Sequence, residues 1–215
     1  MIATIGSLVQ EPSDRRHWPL AVSLYAAACT ATAALLGATL GATGQLARGL
    51  VCAAAGCPWV ASAGPWLIGT LALAYAAADL GVIRLPRPTL IHAVPVTWWR
   101  RWRPYGAALA YGGALGLGLT TRIHFGSFYV LCALATLPGD PGRGALLLGT
   151  YGAARALVLV PASWGVSRHR GAIAAWLTTS PAFDLERAQR FVALVLAAFG
   201  AQSIIAAALM TFGPA

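Results

Sequence analysis

Residues 18–41 read WPLAVSLYAAACTATAALLGATLG, and the interval between Arg16 and Arg48 contains no Asp, Glu, Arg or Lys. An uncharged run of this length exceeds the ~20 residues that an α-helix needs to cross the hydrocarbon core of a bilayer. Within lipid, a helix satisfies its backbone hydrogen bonds internally, so an apolar run of this kind is expected to be helical. The stretch therefore predicts a membrane-spanning helix at residues 18–41.

The composition of the whole chain points the same way. Of the 215 residues, 58% are hydrophobic and 10% are charged, and the mean hydropathy is +0.69. Soluble domains carry roughly 25% charged residues. The net charge of +9 comes from 15 arginines without lysine, and these arginines lie between apolar runs, as in membrane proteins. The expected partner is therefore the lipid bilayer, and nucleic acid is not expected to bind.

Four further apolar segments follow the first span. Together they predict an all-α, polytopic membrane protein with about five transmembrane helices in one domain, residues 1–215. The predicted spans are residues 18–41, 64–83, 104–137, 144–166 and 188–211. Residues 42–63 are expected to form a loop, and residues 171–187 a loop with a short interfacial helix. Residues 1–10 lack the basic and apolar regions of a signal peptide, so the first span is expected to act as an uncleaved insertion signal.

The third span is too long for one straight helix. A helix over residues 104–137 would be ~51 Å long, whereas the hydrocarbon core is ~30 Å thick. Residues 120–126 read TTRIHFG and combine threonines, a charge, a histidine and a glycine. Such a sequence favours an interrupted or re-entrant helix over a continuous one.

The distribution of arginine predicts the orientation of the chain. With five spans and a cytoplasmic N-terminus, eleven arginines lie on the inner side, and Arg48 and Arg143 lie on the outer side. The inner set is Arg15, Arg16, Arg84, Arg87, Arg100, Arg101, Arg103, Arg168, Arg170, Arg187 and Arg190. Splitting the third span into two full spans would give eight inside and six outside. The predicted location is the inner or plasma membrane, with the N-terminus cytoplasmic and the C-terminus extracytoplasmic.

Four segments carry a resemblance to a known family. They are Gly116 to Ser127, Arg143 to Gly152, Arg16 to Tyr25 and Gly81 to Pro86. Their order resembles the transmembrane family of cytochrome c biogenesis and thiol–disulfide interchange proteins, which contain two inverted three-helix repeats. The resemblance implies an inverted-repeat-like arrangement in which Gly116 to Ser127 is the broken fourth helix. The chain lacks the family's first helix and its paired Pro-Cys motifs, so it resembles a truncated or divergent member.

The resemblance also implies a function. The family passes reducing equivalents from a cytoplasmic thioredoxin to extracytoplasmic acceptors, which implies a redox-relay or maturation accessory with a thioredoxin-like or membrane-complex partner. The redox candidates are Cys132 and the pair Cys52 and Cys57. The pair could be a structural disulfide, an exchange-active disulfide or two free thiols. Cys29 and Cys132 lie within spans, where cysteine usually behaves as a small hydrophobic residue.

Polar residues within the spans suggest an intramembrane site. They are Asp79, Arg122, His124 and Arg155. Charges at this depth usually face a partner or a water-filled cavity. One interpretation is an Asp79–Arg155 ion pair with Arg122 reaching towards water. The other is an inward-facing anionic site that a small anion, a lipid headgroup or a quinone could fill, and a small anion would suit a small-solute transporter. A scaffold subunit of a larger membrane complex is a further alternative.

Small residues predict where the helices approach each other, and missing motifs limit the chemistry. Gly37 and Gly41, like Gly112 and Gly116, are spaced for close helix packing. A homodimer would cover the groove left by five helices. The sequence has no P-loop, no dinucleotide-binding glycine motif and no hydrolase triad, so a non-enzymatic role is favoured. No metal and no cofactor are predicted, because ligand clusters are missing and His124 is the only deep histidine.

Overall fold

The computed structural model describes residues 18–55, 58–85, 104–118, 126–157 and 185–212. These residues form six α-helices and no strand. The helices are α1 (Trp18–Ala55), α2 (Pro58–Asp79), α3 (Pro104–Gly116), α4 (Ser127–Thr136), α5 (Pro141–Leu157) and α6 (Leu185–Phe212). The all-α prediction is confirmed for these ranges. Two segments, Leu20–Ala54 and Arg187–Phe212, are long and apolar enough to cross a membrane by length and composition.

Helix α1 extends well beyond its predicted end. The prediction placed its last residue at Gly41 and a loop at residues 42–63, but α1 continues to Ala55 and α2 begins at Pro58. That boundary was wrong, although α1 contains Gly41 and Gly44, and glycine weakens an isolated helix. In the structure, each glycine lets the backbone of another segment come close to α1, at Asp140 and Thr136 respectively. Close packing of this kind outweighs the low helix propensity of glycine.

Helix α2 ends earlier than predicted. It ends at Asp79 rather than at residue 83, and Gly81 follows with a φ of +79°. The amide of Val82 donates to the carbonyl of Ala77 at 2.9 Å, and that of Gly81 donates to Ala78 at 3.2 Å. This hydrogen-bond pattern is a Schellman motif, in which glycine adopts the left-handed conformation with little strain.

Helix α5 begins earlier than the predicted residue 144. Its first residue is Pro141, which suits the first helical position because proline has no amide hydrogen to satisfy. The Oδ1 atom of Asp140 accepts hydrogen bonds from the amides of Gly142 (2.9 Å) and Arg143 (3.2 Å). Asp140 therefore caps α5. The predicted end of this span and the predicted interfacial helix lie outside the described residues, while α6 covers the predicted residues 188–211.

The long third segment contains two helices. Helix α3 ends at Gly116, Gly118 follows with a φ of +70°, and α4 begins at Ser127. Gly112 of α3 lies against Tyr25, whereas Thr136 of α4 lies against Gly44. The two helices therefore run parallel to α1, with α3 beside its first half and α4 beside its second half.

Helix α1 is the centre of the first group of helices, and α3, α4 and α5 pack against it. Gly37 of α1 and Gly144 of α5 bring their backbones into direct contact, and Gly112 and Gly116 do the same for α3 and α1. The predicted packing role of both glycine pairs is confirmed. A second group consists of α2 and α6, which cross closely where Gly69 meets Gly200. Helix α4 contacts both groups.

Most buried core residues of the described helices are alanines, whereas many large apolar residues are exposed. The buried core contains Ala33, Ala72, Ala76, Ala78, Ala107, Ala108, Ala135, Ala156, Ala193 and Ala207. By contrast, Leu50, Leu146, Met210 and Phe212 expose 74%, 71%, 82% and 80% of their surface. Soluble proteins bury most of their large apolar side chains, whereas membrane helices pack through small ones.

Candidate functional site

One polar end of the first helix group is formed by α1 near Arg48 and by the turn between α4 and α5. A guanidinium nitrogen of Arg48 donates to the carbonyl of Pro138 at 2.6 Å. Arg143 forms an ion pair with Asp140 at 3.3 Å. Arg48 and Arg143 are the two arginines assigned to the outer side by the sequence, and the structure places both at this end of the helix group.

Cys52 lies in the last turn of α1, beyond Arg48, and is disulfide-bonded. Its predicted partner, Cys57, lies outside the described residues. Because Cys52 is disulfide-bonded, the alternative of two free thiols does not describe this structure. The structural and exchange-active alternatives both agree with a disulfide. Next to Cys52, the side chains of Leu50 and Val51 are exposed.

The other two cysteines are free and lie among the helices. Cys29 of α1 is fully buried, and its sulfur lies 3.6 Å from the carbonyl oxygen of Gly152. Cys132 is half-buried in α4, where it packs against the buried cluster of Phe128, Ala135 and Leu148. The surroundings of Cys29 agree with its interpretation as a small hydrophobic residue. The redox role of Cys132 stays a prediction.

Asp79 contacts the start of the interrupted helix. Its Oδ2 atom accepts a hydrogen bond of 2.9 Å from the amide of Gly126, which occupies the N-cap position of α4. Gly126 has no side chain to cap its own helix, so a carboxylate from α2 supplies the cap. The negative charge is also favourable beside the positive end of the helix dipole. Tyr75, one turn before Asp79, stacks on Tyr129 with ring centroids 5.1 Å apart.

Arg155 lies on α5, in the half of the first helix group away from the polar end that contains Arg48 and Arg143. One of its guanidinium nitrogens donates to the hydroxyl of Tyr151 at 3.3 Å. The ion pair of Arg155 with Asp79 stays a prediction. The other two residues of the predicted polar site, Arg122 and His124, lie outside the described residues.

Tyrosines were missing from the sequence-based site, yet they surround several of its residues. Tyr25 stacks on Tyr111 with centroids 6.0 Å apart, and Tyr151 lies 5.6 Å from Phe128. The Tyr25 hydroxyl is buried without a hydrogen-bond partner. An isolated tyrosine within an apolar run gives no sequence signal beyond that of a large hydrophobic residue. One available clue was the spacing of Tyr151 and Arg155, which places them on one helix face.

Comparison with known proteins gives one partial similarity. The chain is 31% identical over 153 residues to the methylamine utilization protein MauF of Paracoccus versutus. The match covers 66% of this chain and 53% of that protein. No protein-family model matches the chain, and no solved structure matches it significantly. The chain thus spans about half the length of the curated relative that it matches.

Proposed function

We propose that the chain is a multi-pass protein of the inner or plasma membrane with five spans, in which α3 and α4 form one interrupted span. The observation that carries this proposal is the large number of exposed leucine, methionine and phenylalanine side chains around helices whose contacts are formed mainly by alanine and glycine. Lipid tails would cover the exposed leucines without the cost of hydrating them. The common position of Arg48 and Arg143 supports an extracytoplasmic end for α1.

Within that membrane, we propose an accessory role in thiol–disulfide exchange or in the maturation of an extracytoplasmic partner. The disulfide at Cys52 supports this role because it lies at the end of α1 that the arginine distribution assigns to the outer side. Disulfides persist in that compartment. A thioredoxin-like protein is the partner expected to exchange with it.

The start of α4 argues against the alternative of an anion transporter. A helix N-terminus inside an interrupted span can bind an anion through its free amides. Here the carboxylate of Asp79 already accepts the hydrogen bond of the Gly126 amide and brings its own negative charge to that position. A second anion at the same place would be repelled. The scaffold alternative would be favoured by stoichiometric co-purification of partner subunits.

The proposal can be tested by labelling cysteines in intact cells with a membrane-impermeant maleimide. We expect Cys52 to react only after treatment with a membrane-impermeant reductant, because it is disulfide-bonded and faces outward. Free Cys132 serves as the internal control and should react only after denaturation. Labelling of Cys52 that requires permeabilised cells would contradict the topology. If the reduced fraction of Cys52 is the same with and without the thioredoxin-like partner, exchange is excluded.

The similarity to a methylamine utilization protein suggests a physiological setting, and we propose that the chain supports the use of a small amine. Deletion of its gene is expected to slow growth on methylamine while leaving growth on an unrelated carbon source unchanged. A plasmid copy of the gene should restore the growth rate. Equal growth of the deleted and parent strains on both carbon sources would contradict this setting while leaving the membrane topology untouched.

A further inference from the structure

Helix α6 carries a regular row of exposed residues on the side that faces away from α2. Leu196 and Gly200 lie on the side that packs against α2, and both are buried. On the opposite side, steps of three and four residues alternate along the helix, as in helices that pair along their whole length with a repeat of about 3.5 residues. The residues of this row, called the α6 stripe below, are Val195, Ala198, Gln202, Ile205, Leu209 and Phe212, and all are exposed in the part of the chain that the structure describes.

Gln202 is the polar member of the α6 stripe. Its side chain is exposed and makes no hydrogen bond with the residues that the structure describes. At 1.5 Å per residue, Gln202 lies ~18 Å from Arg190 and ~15 Å from Phe212 along the helix. If Arg190 marks the inner headgroups, this amide lies near the middle of a hydrocarbon core ~30 Å thick. An amide without a partner is costly in hydrocarbon, so we expect a polar group of another membrane helix to contact it.

The chemistry of glutamine favours a second copy of the chain as that partner. A side-chain amide both donates and accepts hydrogen bonds, so two glutamines can satisfy each other. Copies of one membrane protein share one orientation, and a two-fold axis along the membrane normal therefore places the same residue of both copies at the same depth. Gln202 then faces Gln202 of the other copy. Ala198, one turn earlier in the stripe, is small enough for the two backbones to come close.

We propose that the chain forms a parallel homodimer through the α6 stripe, in which the Gln202 amides of two copies hydrogen-bond to each other inside the bilayer. An acyl chain covering the stripe would leave these amides unsatisfied, and a different protein would need a polar side chain at the same depth. The dimer rests on the proposed membrane location. It does not rest on the proposed thiol–disulfide role, because Cys52 lies on α1, in the other helix group.

The test is Förster energy transfer between full-length chains reconstituted in phosphatidylcholine vesicles. One population carries a donor and the other an acceptor fluorophore on a C-terminal tag. The transfer efficiency reports the dimer fraction, and its decrease on dilution with lipid gives the dissociation constant. We expect transfer for the wild-type chain, and we expect unlabelled wild-type chain to abolish it by competition.

Substitutions at two positions of the stripe identify the interface. Gln202→Leu should weaken the dimer about tenfold, because the pair of interhelical hydrogen bonds is lost. Gln202→Asn keeps the amide and should retain most of the affinity. Ala198→Trp should weaken the dimer more than Gln202→Leu, because the indole ring holds the two backbones apart. Leu146→Trp is the matched control, since Leu146 is equally exposed but lies on α5, and it should dimerise like wild type.

Cysteine cross-linking tests the parallel arrangement independently. Ile205 is 60% exposed and follows Gln202 in the stripe. Ile205→Cys should therefore form a disulfide between two copies when vesicles are mildly oxidised. Leu146→Cys should stay monomeric under the same conditions. Equal cross-linking of both variants would mean that the copies collide at random, which would overturn the assigned interface.

Three further results would overturn the proposal. The first is a wild-type chain that stays monomeric at every protein-to-lipid ratio, since lipid or another segment of the chain would then cover the stripe. The second is equal affinity of Gln202→Leu and wild type. The third is stoichiometric co-purification of a different membrane protein that is lost in Gln202→Leu, which would assign the stripe to that protein. A monomer that remains in the vesicles refutes the dimer alone, whereas a chain that is soluble without detergent refutes the membrane location as well.

Discussion

Gly144→Leu is expected to prevent the close packing of α5 against α1 and to lower the free energy of unfolding by about 3 kcal/mol or more. A Cβ atom at this position would collide with the backbone carbonyl of Gly37, and a Cβ at Gly37 would collide with that of Gly144. Neither obstacle is a flexible side chain that could rotate away. The measurement is equilibrium unfolding in mixed micelles with increasing denaturing detergent.

A matched control exists within the same pair of helices. Gly49 lies in α1, and a Cβ atom built on it meets nothing within 4 Å. Gly49→Leu should therefore change the free energy of unfolding by less than ~1 kcal/mol, and the sign should be stabilising because leucine favours the helix over glycine. If both leucine variants are equally stable, the proposed close contact between α1 and α5 does not exist.

The loss of the Asp79 carboxylate is expected to loosen the start of α4. Asp79→Ala leaves the Gly126 amide without its acceptor, which costs about 2 kcal/mol because that group is partly buried. Asp79→Asn keeps an acceptor oxygen and should cost less. Hydrogen exchange measured by mass spectrometry should become faster in the first turn of α4, at residues 126–130.

Asp140→Ala provides the comparison for this experiment. Asp140 caps α5 from the adjacent residue in the chain, whereas Asp79 caps α4 from a different helix. Removing the local cap should cost about 1 kcal/mol and accelerate exchange in α5 while leaving the first turn of α4 unchanged. Unchanged exchange at residues 126–130 in Asp79→Ala would show that the tertiary cap does not hold α4.

The helices were predictable because a long uncharged apolar run that is excluded from water can satisfy its backbone hydrogen bonds within itself as a helix. The limits of α1 were not predictable from local sequence. Gly41 and Gly44 weaken an isolated helix, and only their contacts with Asp140 and Thr136 show why the helix continues through them. The early end of α2 could have been found from Gly81, whose left-handed conformation is a common helix terminator.

Less of the candidate site could be predicted. Composition and spacing identified the cysteines and the charged residues, and a disulfide at Cys52 was among the stated alternatives. The partner of Asp79 was not predictable, because Gly126 is 47 residues away and reaches it only through the packing of α2 against α4. The unsatisfied Tyr25 hydroxyl was not predictable either, because its burial results from the packing of residues from three different helices.

Helix α4 has ten residues, and in the described part of the chain it provides most of the contact between the two helix groups. The residue before its first turn, Gly126, donates a hydrogen bond to Asp79 of α2, and Thr136 in its last turn contacts α1 at Gly44. Helices α1 and α2 touch each other only slightly. Any tilt of the α2–α6 pair relative to α1 would therefore be transmitted to the first turn of α4, which connects the two groups in the described part of the chain.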